Sequence, residues 1–129
     1  AAANPEKVHS MVLIYPALMI GSDAVNRHPK EAITAEKFNL MGLDISHVYY
    51  DKLIGYDVYE DIKKYRNPVV AIYGDRDPIS ANDSMGKAEA SFGQFSTHVI
   101  SKGTHGFPYP PHLKKAIGFT LDFVGKNAL

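Results

Sequence analysis

The chain has 129 residues, 45% hydrophobic and 22% charged, and its 14 basic and 14 acidic side chains cancel to zero net charge. This is the composition of one globular domain able to bury a core; it excludes a disordered chain and the cationic surface that neutralising nucleic-acid phosphates requires. With no cysteine there is no disulfide framework and no thiolate metal site, and the longest apolar run, Met11 to Ile20, contains Pro16 and is too short to span a bilayer.

In chain order, Ala1-Ala2-Ala3 followed by Asn4-Pro5-Glu6-Lys7 reads as the tail of a helix, because alanine favours helix and proline stops it. There is no initiator methionine and no signal-peptide pattern, so a piece of a longer protein is expected. Val8 to Tyr15 follows as a strand whose second half is continuously apolar, as in a parallel sheet covered on both faces. Residues 17 to 57 carry Gly21, Pro29, Gly42 and Gly55 with scattered aromatics and no sustained period. Roughly forty residues exceed an ordinary connection, so this stretch is expected to be an inserted, partly helical cap. Short surface helices that merely fill space are the alternative.

Regularity returns with a short helix over Val58 to Tyr65, a break at Asn67-Pro68, and a second buried strand, Val69 to Tyr73. A turn-rich loop, Gly74-Asp75-Arg76-Asp77-Pro78, closes it. Ser80, Asn82 or Asp83 can cap a helix that runs to about Phe92 and is stopped by Gly93. Phe95 to Ser101 is the third strand, less apolar and so placed near a sheet edge. After the loop Lys102 to Phe107, Pro110 or Pro111 opens a last helix with Leu113, Ile117, Leu121 and Val124 at helical spacing, ending near Gly125. The order implies an α/β fold in three layers: a mostly parallel sheet of about three strands flanked by helices. Ligands of such sheets bind beyond the carboxyl ends of the strands, where the loops of Asp77 and His105 both lie.

No two of the six histidines stand close enough for a zinc site, so no metal and no cofactor is expected. His105 follows a strand with glycine two before it and one after, which lets the backbone turn sharply and project the imidazole. Read alone, it is a solvated loop residue. Asp77, at the neighbouring strand end, can hold one imidazole nitrogen and fix the tautomer; otherwise it is a turn carboxylate bonding its own backbone. Asp75-Arg76-Asp77 also has the spacing of a phosphotransferase carboxylate pair, but Gly74 before and Pro78 after speak against it.

The segment Val69 to Ile79, followed by Gly103-Thr104-His105-Gly106-Phe107, resembles the C-terminal half of the α/β-hydrolase superfamily. There one strand ends in Gly-x-x-Asp and the next in a Gly-x-x-His-x-Phe variant. The resemblance implies that Asp77 is the acid and His105 the base of a triad, that Leu13-Ile14-Tyr15-Pro16 ends the strand after the nucleophile helix, and that residues 17 to 57 are the lid. It covers nearly the whole chain, and the 28-residue separation of acid and base fits it. Ile79-Ser80 after the acid and Thr104 before the base depart from the commoner pattern. Within the superfamily, Tyr49-Tyr50 and Tyr56 to Asp61 look most like feruloyl or cinnamoyl esterases, with serine aminopeptidase-like lipases and esterases as neighbours.

No serine here has the flanking glycines of G-x-S-x-G. The resemblance therefore implies a fragment that supplies the acid and base of carboxylic-ester hydrolysis without the nucleophile, inactive alone. Tyr49, Tyr50, Phe107 and Tyr109 are candidates to line an aromatic-accepting pocket, Phe107 being equally suited to pack beneath the histidine loop. The expected partner is a small-molecule ester, with no nucleic acid, no membrane span and a cytoplasmic location. The strand Val8 to Tyr15 would lie at an apolar sheet edge and favour homo-oligomers. The alternative is a non-catalytic interaction or scaffold domain.

Overall fold

The computed structural model describes residues 1, 3–21, 37–40 and 42–128. It divides into two compact units, one formed by residues 1–18 and 59–129 and the other by residues 19–58. The sheet of the first unit has β1 (Met11–Ile14), β4 (Pro68–Gly74) and β5 (Gln94–Ile100) in the order β1-β4-β5, all parallel. Met11 pairs with Val69 and Ile14 with Ile72, while Pro68 pairs with Gln94 and Gly74 with Ile100. All three strands therefore deliver their carboxyl ends to the same side of the unit.

β4 lies between two neighbours and is apolar on both faces, so Val69, Val70, Ala71 and Ile72 are all buried. Alternation sends Val70 and Ile72 to one face, where they join Ile100, Phe107 and Ala116, with Val12, Phe119 and Phe123 packed around them. That face is covered by α4 (Pro110–Lys126), whose Phe119 stacks on His98 of β5 with ring centroids 4.1 Å apart. On the opposite face Phe92, at the end of α3 (Ser84–Ser91), stacks on Phe95 at 5.3 Å and meets Tyr65 edge-on. The three-layer, parallel α/β arrangement and the edge position of β5 match the expectations from sequence.

Several local expectations do not hold. The first residues are not a helix tail: the amide of Asn4 bonds the carbonyl of Ala1, and Pro5 opens a single 3-10 turn, Pro5–Lys7, at its first position. Proline fits there because its missing N–H has no intrahelical partner at a helix start. The first strand is shorter than Val8 to Tyr15 and is not buried on both faces: Ile14 is 42% exposed, and among the described residues only β4 pairs with it. The helix after residue 57 is α2 (Val58–Ile62) and gives way to a turn before Tyr65. On α4, Leu113, Ile117, Leu121 and Val124 form an exposed stripe, and the packed face is the adjacent one of Ala116, Phe119 and Phe123. Both stripes have helical spacing, and the sheet surface beneath selects the one that packs.

The second unit overlaps the expected insertion, much of which, residues 22–36 and 41, lies outside the described residues. Its described part holds a hairpin, β2 (Lys37–Leu40) against β3 (Leu43–Ser46), and then α1 (His47–Leu53). The described part is thus partly helical, as the sequence reading expects, but also holds an antiparallel hairpin that the reading does not include, with Gly42 at φ +86° and Asn39 Oδ1 accepting its amide. No helix among the described residues is long and apolar enough to cross a membrane.

Candidate active site

The loops after β4 and β5 lie against each other backbone to backbone. A Cβ on Gly74 would stand 2.1 Å from the carbonyl oxygen of Gly103, and one on Gly103 would stand 2.9 Å from the Cα of Gly74. Only glycine fits at this crossing. The contact brings the amide of Arg76 onto the Gly103 carbonyl at 2.9 Å and that of Asp75 onto the Ile100 carbonyl at 3.2 Å. Gly74 and Gly103 thus form one device that joins the two loops.

Asp77 follows in this loop and is fully buried. Its two carboxylate oxygens have separate tasks. Oδ1 accepts the amide of Ile79 at 2.9 Å and that of Ser80 at 3.4 Å, closing an Asx turn across Pro78. Oδ2 is 2.9 Å from Nδ1 of His105. Asp77 thus closes a turn with one carboxylate oxygen and meets the His105 imidazole with the other. Burial alone would push its carboxyl group up, but the bond to His105, the amide of Ile79, Ser80 and the histidine's charge together hold it below its ordinary value of 3.8. An ionised carboxylate only accepts hydrogen bonds, so Nδ1 of His105 is the donor in this contact.

His105 stands in a turn closed by the Phe107 amide on the Thr104 carbonyl, 3.2 Å. Gly106 has φ +80°, the left-handed conformation that the third position of a type II turn requires. The turn leaves the imidazole 41% exposed above a partner that is 0% exposed. An imidazole held through Nδ1 from within and partly exposed to solvent can transfer protons to or from a bound ligand. Asp75, by contrast, is exposed and its amide is tied to β5, so the carboxylate pair of a phosphotransferase is not assembled.

The remaining sequence candidates are placed differently. Phe107 is buried in the core beneath the loop, its ring 5.6 Å from that of Tyr15, so it supports the turn and does not face an open pocket. Tyr109 precedes α4, 58% exposed, with its ring edge-on to His112. Tyr49 and Tyr50 lie on α1 in the other unit, Tyr49 on its exposed side. Two residues at the site have no counterpart among the sequence candidates. Tyr15 places its ring 4.9 Å from that of His105, and buried Ser80 donates its hydroxyl to the Pro16 carbonyl at 3.0 Å. Tyr15 was legible only as a strand end before a proline. Ser80 was legible only as a possible helix cap, a task taken by Asn82, whose Oδ1 accepts the Ser84 amide.

No protein-family model matches the chain, and no curated protein matches it. Solved structures do. Est1E from Butyrivibrio proteoclasticus, solved with ferulic acid bound, superposes with a TM-score of 0.80 at 19% identity, over 97% of this chain and 53% of that one. The metagenome-derived lipolytic enzymes LipS and LipT give 0.69 at 14% identity, over 98% of this chain and 58% of the other. Alpha/beta hydrolase domain-containing protein 10 from mouse gives 0.64 at 18% identity, with coverages of 98% and 56%. The chain spans about half the length of these structures.

Proposed function

From the α/β-hydrolase fold of this chain, we propose that Asp77 and His105 are the acid and base of a Ser-His-Asp triad that hydrolyses carboxylic esters, its serine standing outside these 129 residues. The observation that carries the reading is the 2.9 Å contact between the buried Asp77 carboxylate and Nδ1 of a half-exposed His105. Nε2 of His105 takes the serine proton as the hydroxyl attacks the ester carbonyl, then returns it to the departing alcohol. Water repeats the sequence to free the acid. Asp77 stays ionised, fixes the tautomer and stabilises the transient imidazolium. The absence of G-x-S-x-G from the sequence supports an external serine. In this reading the chain is the C-terminal portion of a hydrolase, residues 17–57 are its inserted segment, and Tyr109 contributes to the acyl site. The ferulic acid bound to Est1E favours an aromatic acyl group.

Two assays test this. The chain alone should leave p-nitrophenyl esters at the buffer rate; turnover that His105→Ala abolishes would refute the external serine. In a polypeptide joining this chain to a G-x-S-x-G segment of the same protein, His105→Ala or Asp77→Asn should lower kcat about 10⁴-fold. Unchanged kcat there would refute the triad. A second reading, an interaction domain without catalysis, is favoured by the exposed stripe Leu113, Ile117, Leu121 and Val124. Absence of ester turnover in the joined polypeptide would select it.

A further inference from the structure

Tyr15 directly follows β1 in a conformation that its sequence disfavours. Its φ is +39°, in the left-handed region that residues with a Cβ rarely occupy, and it directly precedes Pro16, which presses its neighbour toward extended backbone. The amide of Tyr15 still donates to the Ile72 carbonyl at 2.8 Å, so the backbone turns only after its bond to β4 is made. The turn brings the ring against His105, centroids 4.9 Å apart and planes at 64°, and against Phe107 at 5.6 Å and 75°. The next residue, Pro16, accepts the hydroxyl of Ser80, whose amide bonds the Asp77 carboxylate. One corner therefore touches His105 directly and is linked to Asp77 through Ser80.

We propose that Tyr15 is a positioning residue: its ring is the second wall of His105 and keeps Nδ1 seated on Asp77. The proposal rests on the acid–base reading above. His105 is 41% exposed and its hydrogen bond to Asp77 is a single one, so torsion about its side chain would swing the ring away unless something stands beside it. An edge-on aromatic contact supplies that restraint and holds more strongly than the area it buries alone would. Left-handed backbone at a bulky residue is the kind of strain that folded structures retain at functional sites.

The test reads His105 directly, by nuclear magnetic resonance of the 129-residue chain, and needs no turnover. The Nδ1 proton of His105 should exchange slowly in the wild type, and Tyr15→Phe should preserve that rate. Tyr15→Leu should speed exchange roughly three- to tenfold and shift the carbon-bound protons of the imidazole as the neighbouring ring current disappears. Tyr15→Gly accepts the left-handed backbone without strain, so it should keep the corner, lose the ring and behave as Tyr15→Leu. The proposal is overturned if both variants keep the β4 amide spectrum and leave exchange within about twofold of wild type, a change too small for a lost aromatic contact. It is also overturned if Tyr15→Gly unfolds, which would make Tyr15 a packing residue. Asp77→Asn separates the two levels. If the wild-type proton is no better protected than in Asp77→Asn, the acid–base reading fails; if it is protected but indifferent to Tyr15, only the present inference fails.

Discussion

β1 and β4 are nearly the same strand by composition, Met-Val-Leu-Ile beside Val-Val-Ala-Ile, and they pair in parallel register. Ile14 and Ile72 face each other across that ladder, yet Ile72 is 0% exposed and Ile14 is 42% exposed. Position in the sheet, not apolar content, decides how much of each is removed from water. The two strands also end differently. β4 runs into a loop held by a glycine crossing and a buried carboxylate, whereas β1 is followed by a strained aromatic that reaches across to the histidine.

The largest effect should come from the buried member of the pair. Ile72→Ala is expected to cost about 2–5 kcal/mol in denaturant unfolding, because it opens a cavity in a strand covered on both faces. Ile14→Ala should cost less than about 1 kcal/mol. Equal costs would mean that the edge of β1 is covered in solution. Next in size is the loop that closes β4. Asp77→Asn should destabilise the chain at neutral pH by about 1–3 kcal/mol, by weakening the bonds to His105, Ile79 and Ser80. The carboxyl pKa of Asp77 lies below its ordinary 3.8 in the folded chain. Its contribution is therefore complete above that value and is lost as the pH falls through the lowered one. Unfolding titrations of the wild type should carry that acid-side loss and those of Asp77→Asn should lack it.

The side of β1 away from β4 is a further point of difference: among the described residues no strand pairs with it, and such a sheet edge invites another strand. Light scattering at moderate concentration is expected to give a dimer or larger assembly, reduced by Ile14→Lys; a monomeric wild type would remove this expectation. The smallest effect belongs to α4. Leu121 is 65% exposed, and Leu121→Gln should change stability by no more than about 0.5 kcal/mol. A larger loss would show that the exposed stripe is covered.

Legibility followed the range of the interactions involved. The loops of Asp77 and His105 could be located because strand-length apolar runs, glycines and a proline punctuate the chain locally. The hairpin Lys37–Ser46 had a weaker local signal, Phe38 and Leu40 alternating with polar neighbours, then Leu43 and Ile45. Its connection through Met41-Gly42 lacks the Asn-Gly or Asp-Gly pair that marks such turns. The packed face of α4 was ambiguous because two adjacent stripes share helical spacing, and only the sheet surface chooses between them. Ser80 and Tyr15 were illegible as site residues. Ser80 acts on Pro16 from 64 positions away, and Tyr15 meets a histidine that arrives from β5.

By itself, then, the sequence determined the alternation of strands and helices, their parallel sense and the two loops that carry Asp77 and His105. These follow from periodicity and backbone chemistry within a few residues. Tertiary structure alone decided which apolar strand is buried, which face of α4 packs, that Gly74 and Gly103 cross, and that Tyr15 stands against His105. Each of these depends on which segments distant in the chain come within van der Waals or hydrogen-bond reach, and no local pattern encodes that distance.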